Sequence, residues 1–447
     1  MNDTVKWERR SPTRCDHGGF EKRAGSETGA PITGLKFAAM ALTLLLPMLA
    51  PAAEKPLPLA ATPKVFLLDA KYLTATRQHI RDGDANFAPA LAALERDAKA
   101  ALTVKPFSVV NKATTPPSGD KHDYMSEAPY FWPNPATSNG LPYIRRDGER
   151  NPEINKISDH GNIGRMPETV ETLALAYYYT GDEAYAVKAA ELLRVWFLDP
   201  ATRMNPNLLY AQAILGVNSG RGIGLIESRG LVRAVDAVGL LAGSKAWTDK
   251  DQRGLEKWFT DFLQWMQESK NGRDEAAAKN NHGTYYDVQV ASFALFLGRA
   301  DLATEILKTA CEKRIAVQIE PDGRQPLELV RTKAWSYSTG NLAGLMSLAK
   351  LGECVGADLW HYETPDGRSI RKALDYLAPF ALGEKKWPHQ QLGGWSAEGF
   401  PPLLRQAVLH YPDAGYQEMA RKLARETPAN RGALLHPGPG GSTSLPE

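Results

Sequence analysis

Apolar residues recur at helical spacing through most of this chain. Val170, Leu173, Ala174, Tyr177 and Tyr178 follow an i, i+3, i+4, i+7, i+8 pattern, and Leu255, Trp258, Phe259, Phe262, Leu263 and Met266 repeat it over successive turns. Each stripe turns one helix face into a core. The same period predicts helices over Glu183–Phe197, Leu231–Leu241, Val288–Leu297, Leu302–Ile315, Leu342–Leu351, Ser369–Leu382, Pro402–His410 and Gly415–Arg425. Gly181-Asp182, Gly298-Arg299 and Pro412-Asp413 punctuate neighbouring segments, and turns this short make successive helices antiparallel hairpins. No evenly spaced series of strands appears, and no glycine-rich phosphate loop follows a strand, which argues against a doubly wound sheet. No self-similarity at a fixed period marks a solenoid. The predicted fold is therefore all-α, an (α/α) toroid or barrel of helical hairpins in one domain over residues 54–430.

Two stretches break the helical pattern, Lys121–Arg165 and Arg203–Arg221. The first carries HDYMSEAPYFWPNP from His122 to Pro135, where proline and tryptophan sit among polar groups. Long irregular loops on a regular scaffold are common places for function. The Gly-, Pro- and Ser-containing end, residues 431–447, reads as a flexible tail.

At the other end, Leu35–Ala53 (LKFAAMALTLLLPMLAPAA) joins a basic residue, a short apolar run and small residues suited to cleavage after Ala52. A membrane anchor is the alternative, but a span needs ~20 apolar residues and Pro47 and Pro51 interrupt this run. Residues 1–53 are thus expected to be a targeting region, and the mature protein periplasmic or secreted, off the membrane and monomeric. Two of the three cysteines, Cys311 and Cys354, lie beyond that cleavage point, too few for a disulfide framework. The formal net charge of +2 argues against a nucleic-acid partner. An anionic ligand would have to be met by a local cluster of arginines.

Chemistry concentrates in two segments. Lys279–Asp287, KNNHGTYYD, places amides and an imidazole just ahead of the helix expected from Val288, where backbone N–H groups favour an anion. A capping asparagine beside a surface histidine would explain it structurally. Asp322–Ser338, DGRQPLELVRTKAWSYS, sets Glu328 and Arg331 three apart, the spacing of a surface ion pair, and adds Tyr337, which a core would equally accept. Taken together the two segments fit β-elimination on a uronate. That reaction needs the C6 carboxylate neutralised, the C5 proton removed and the departing O4 protonated. Asparagine, histidine and arginine suit the first task, and a tyrosine of lowered pKa the other two, without metal or redox cofactor.

The chain resembles the alginate-lyase-domain group of polysaccharide lyases from roughly Lys121 to Leu382. The resemblance rests on SDHGNIGRMPETVETLALAYYYTGD (Ser158–Asp182), NPNLLYAQAILGVNSGRGIG (Asn205–Gly224), NNHGTYY (Asn280–Tyr286) and the Asp322–Ser338 segment. It implies an incomplete (α/α) toroid, a polyuronate substrate, and a catalytic set of Asn281, His282, Arg331 and Tyr337. This chain departs from the group's pattern in a shorter Arg–Tyr gap and in Gly283 after the histidine. Arg165, Tyr210, Gln212 and Arg221 in the shared motifs, His122, Tyr124, Tyr130 and Trp132 in the aromatic loop, and Tyr286 are the expected substrate contacts. Arg145 and Arg324 are weaker candidates.

Mannuronate and glucuronate keep H5 and O4 on the same relative side, so one tyrosine serves both, whereas guluronate is inverted at C5. Mannuronate-rich alginate is the expected substrate, with glucuronan its rival. A glycoside hydrolase would need two carboxylates in the cleft, drawn from Asp123, Asp159 and Glu328. A non-catalytic envelope carbohydrate-binding protein would need only the aromatics and arginines.

Overall fold

A computed structural model describes residues 62–412, 414–424 and 431–436. The targeting region expected over residues 1–53 lies outside them. Helices α1 (Ala70–Arg81) and α2 (Ala88–Leu102) precede a long excursion in which β1 (Met125–Glu127), β2 (Phe131–Trp132) and β3 (Ile144–Arg145) form. Helices α3 (Ser158–Thr180) and α4 (Glu183–Leu193) follow, the latter extended by a π-turn over Arg194–Leu198. Strand β4 (Tyr210–Ala213) then pairs in parallel with β1, while β2 pairs antiparallel with β3. After a 3₁₀ segment, Gly222–Gly230, come α5 (Leu231–Leu240), α6 (Asp249–Glu268), α7 (Lys270–Ala276), α8 (Asn281–Phe296) and α9 (Ala300–Ala310). The remainder is α10 (Ala316–Gln318), α11 (Pro326–Leu329), α12 (Ala334–Glu353), α13 (Ile370–Ala381), α14 (Pro401–His410) and α15 (Ala414–Ala424).

Burial sorts these helices into two layers. Between Tyr286 and Phe296 every residue of α8 is buried, and α12 is buried on most sides, so both are enclosed by neighbours. In contrast α6 buries the stripe Leu255, Trp258, Phe259, Phe262, Leu263 and Met266 and exposes its other face. Inner helices pack in succession, α3 on α5, α5 on α8 and α8 on α12, and each outer helix backs one of them: α4 on α3, α6 and α9 on α8, α13 on α12. This is the expected toroid of helical hairpins. The turns behave as their sequence requires: Gly181 closes α3 in the left-handed region at φ 76°, and Thr248 and Asp251 cap α6 reciprocally.

Several boundaries differ from expectation. Helix α3 starts at Ser158 and runs through Pro167, at the cost of one backbone hydrogen bond, so the end of the expected loop Lys121–Arg165 is helical. Helix α8 starts at Asn281, which puts the Asn-His pair inside its first turn rather than ahead of it. Residues 431–436, expected in the tail, are packed instead. Leu434 is buried, its carbonyl accepts from the Tyr179 hydroxyl at 2.6 Å, the Ala433 carbonyl accepts from Tyr72, and Arg431 donates to Thr172. Cys311 and Cys354 are not bridged.

Candidate active site

The starts of α3, α8 and α12 converge with the 3₁₀ segment and the β2 loop on a cavity of about 590 Å³. Its charged lining is unbalanced: Arg145, Arg150, Arg221, Arg229 and Arg331 face a single carboxylate, Glu227. A second cavity of about 840 Å³ shares His160, Glu227, Arg229 and Tyr285 with the first, so the cleft extends beyond one sugar.

At the start of α8 the Asn280 side chain caps the helix by accepting from the His282 amide at 3.3 Å. The Asn281 backbone amide donates to Glu328 Oε1 at 2.8 Å, and its Nδ2 lies 3.0 and 2.9 Å from the two carboxylate oxygens. Glu328 is buried on α11, and burial raises its pKa although the Asn281 donors oppose the rise. The expected surface pair of Glu328 with Arg331 is therefore replaced by a buried support for the asparagine. With Nδ2 committed, the amide has its oxygen left to offer.

His282 Nδ1 lies 2.8 Å from Glu275 Oε1, and Glu275 is fully buried on α7. A carboxylate accepts, so Nδ1 carries the proton and Nε2 is turned to the cavity, the arrangement by which enzymes fix an imidazole tautomer. Gly283 makes this turn feasible. A Cβ there would run into the Ala278 carbonyl and the Arg314 guanidinium, which itself holds the Ala276 and Ala278 carbonyls and Asp287.

Across the cavity Arg331 grips Asp147, with Nη2 at 2.8 Å and Nε at 3.1 Å from its two oxygens. The same Nη2 lies 2.8 Å from the Tyr337 hydroxyl, which donates to the Tyr130 hydroxyl at 3.0 Å. Burial and the contact with Tyr130 push the Tyr337 phenol well above its ordinary value, outweighing the pull of Arg331. The expected lowered pKa is thus reversed, because burial and the Tyr130 contact outweigh the arginine. In the free protein Tyr337 is a phenol.

Of the other expected contacts, Tyr130, Gln212 and Arg221 line the cavity. Gln212 is buried at a strained φ of 51°, its Oε1 accepting from Arg221 Nη2 at 2.9 Å; burial lowers the Arg221 pKa to about 10. The rest fall elsewhere. His122 Nδ1 contacts the Arg203 carbonyl, and Trp132 donates to the Glu149 carbonyl beneath Arg146. Arg165 packs over Phe107 and reaches the neighbouring cavity, and Tyr210 is tied into the β1–β4 ladder. Tyr286 is core, its hydroxyl donating to the Met266 carbonyl. Tyr124 is fully buried and supports the site from behind by donating to Glu227 at 2.7 Å. Arg145 does line the cavity, whereas Arg324 pairs with Asp322 in the open.

Sequence reasoning missed Asp147, Glu275 and a second imidazole–carboxylate pair, His160 with Glu227; Tyr285 also walls the cavity. His160 stands within the SDHGNIG motif, the one signal that pointed to it.

Comparison with known proteins agrees with this geometry. The family model described as alginate lyase matches residues 108–387. A crystallised alginate lyase from Bacteroides ovatus shares 43% identity, with a TM-score of 0.80 over 83% of this chain and 99% of that one. Alginate lyase A1-III from Sphingomonas species A1 shares the fold at 17% identity and a TM-score of 0.53, over 83% of this chain and 95% of that one. No curated protein sequence matches. The family match and the Bacteroides relative show that this chain belongs to the alginate lyase family.

Proposed function

We propose that the protein is a polysaccharide lyase that cleaves the 1,4-linkages of alginate by β-elimination, leaving 4,5-unsaturated uronate ends. The observation that carries this reading is the Tyr337 hydroxyl held 2.8 Å from Arg331 in a cavity that also holds His282. Five arginines against one glutamate favour a polyanion. Hydrolysis lacks its carboxylate pair: Asp159 is buried against Lys112 at 3.0 Å, Asp123 is engaged by Ser118 and Asn205, and Glu328 holds Asn281.

The chemistry follows from the geometry. The arginines, and His282 through an Nε2–H when both ring nitrogens carry protons, neutralise the C6 carboxylate, so that negative charge building at C5 is stabilised as the proton leaves. Tyr337 must first shed its own proton to solvent to act as base, and Arg331, with Nη2 2.8 Å from the oxygen, then steadies the phenolate. For mannuronate the same oxygen then takes H5 and returns it to O4, which lie on one side of the ring. Mannuronate-rich alginate is accordingly the proposed substrate. The apolar run Phe37–Leu49 supports export to the periplasm or medium, with cleavage near Ala52.

The test is a panel of polymannuronate, polyguluronate, glucuronan and hyaluronan followed by far-ultraviolet absorbance. Product absorbance growing fastest on polymannuronate is expected. Faster growth on glucuronan would reassign the substrate, and chain scission without absorbance would replace elimination by hydrolysis.

A further inference from the structure

Two imidazole–carboxylate pairs face the same cavity, and the proposed reaction uses one. His160 Nδ1 lies 2.9 Å from Glu227 Oε1, matching the 2.8 Å of His282 and Glu275. The exposures match as well: the imidazoles are 15% and 16% exposed and their carboxylates 4% and 0%. Glu227 is itself fixed by two buried donors on its other oxygen, Tyr124 at 2.7 Å and Ser126 at 2.6 Å. Such support sets the ring's orientation and leaves Nε2, which has no hydrogen-bond partner among the described residues, open to the cavity. A histidine serving only to pack would be expected to have that nitrogen satisfied.

Position completes the argument. Helix α12 packs on α8, α8 on the 3₁₀ segment carrying Glu227, and that segment on α3. Tyr337 at the start of α12 and His160 at the start of α3 therefore stand at opposite ends of this arc, with His282 between them.

We propose that His160, oriented by Glu227, is a second proton acceptor that serves uronates whose C5 hydrogen faces away from Tyr337, which among alginate residues means guluronate. This rests on the lyase reading above. His160 Nε2 takes H5, the C–H electron pair becomes the C4=C5 bond, the C4–O4 pair leaves on O4, and the phenolic proton of Tyr337 passes to O4. An imidazolium and a phenolate remain and are reset through solvent. In this direction Tyr337 acts from its resting phenol form and needs no prior loss of a proton.

The experiment compares kcat/KM on polyguluronate and polymannuronate for the full chain and for His160→Asn, which keeps a donor for Glu227. The polyguluronate-to-polymannuronate ratio is expected to fall at least tenfold, since a general base contributes ~10²–10⁴-fold. His160→Ala, checked for an unchanged melting profile, should regain polyguluronate cleavage when imidazole is added to the buffer. An unchanged ratio, or absence of rescue in a folded variant, overturns the assignment. Wild-type activity on polymannuronate alone overturns it while leaving the lyase reading intact, and no unsaturated product from either polymer overturns both.

Discussion

Arg331 meets Tyr337 twice: Nη2 lies 2.8 Å from the hydroxyl, and the guanidinium carbon lies 3.8 Å from the ring centre. A planar cation stacked on the ring and bonded to its oxygen can stabilise a phenolate in a way a flexible ammonium cannot. Arg331→Lys keeps the charge but loses the fork and the stacking, so kcat should fall on the order of 10²-fold with a smaller change in KM. Steady-state kinetics on polymannuronate checks this, and an equal rise in KM at constant kcat would limit Arg331 to substrate binding.

Asp147 makes that arginine rigid, and it couples the site to pH. Burial would raise its pKa, but hydrogen bonds from Arg331 and the Thr332 amide, with the arginine's charge, hold it well below the ordinary carboxylate range. A folded value below the unfolded 3.8 means the pair stabilises the native state above that pH and stops doing so as pH falls through the folded value. Asp147→Asn should therefore lower the urea midpoint at pH 7, with the gap from wild type constant down to about pH 4 and shrinking below it. A gap that stays constant below that pH would show that the carboxylate's charge is not what stabilises.

Glu275 fixes the tautomer of His282 at 2.8 Å from a fully buried position. Glu275→Gln preserves shape, yet removes the negative charge beside Nδ1 that supports a His282 ring protonated on both nitrogens. Turnover should drop about 10-fold to 100-fold, as for other partners of functional histidines, while the fold is kept. Kinetics alongside circular dichroism decides it, and wild-type turnover would remove Glu275 from the mechanism.

Gly283 is required by crowding rather than by φ. A methyl group there would collide with the Ala278 carbonyl and Arg314, so Gly283→Ala should displace the first turn of α8 and cost ~1–3 kcal/mol. Thermal unfolding measures the loss, and an unchanged melting temperature would mean that this turn relaxes freely.

Much of this was legible in the sequence because large apolar residues mark the inner and outer helices. Helices α1 and α2 escaped it: the buried face of α2 is Ala90, Ala93, Leu94, Ala98 and Ala101, mostly alanines, which barely register as a stripe. The first turns of α3 and α8 escaped because their buried groups are polar and serve the site. His282, Arg331 and Tyr337 lie in dense local motifs. Their partners do not: Asp147 reaches Arg331 from 184 residues away and Glu227 reaches His160 from 67, separations that folding alone closes. Tyr124 and Tyr286 misled as sugar contacts because aromatic residues in a helical protein serve packing as readily as recognition.

The central claim is that the Tyr337 hydroxyl exchanges the proton of the reaction. Tyr337→Phe keeps the ring beneath Arg331 and removes one oxygen, so the protein should fold normally and bind polymannuronate. The decisive measurement is the initial rate of unsaturated product from polymannuronate, wild type against Tyr337→Phe, at matched folded concentration. The account predicts a loss of ~10⁴-fold, because one residue holds both the acid and the base role. A folded Tyr337→Phe protein forming unsaturated product at close to the wild-type rate would contradict it.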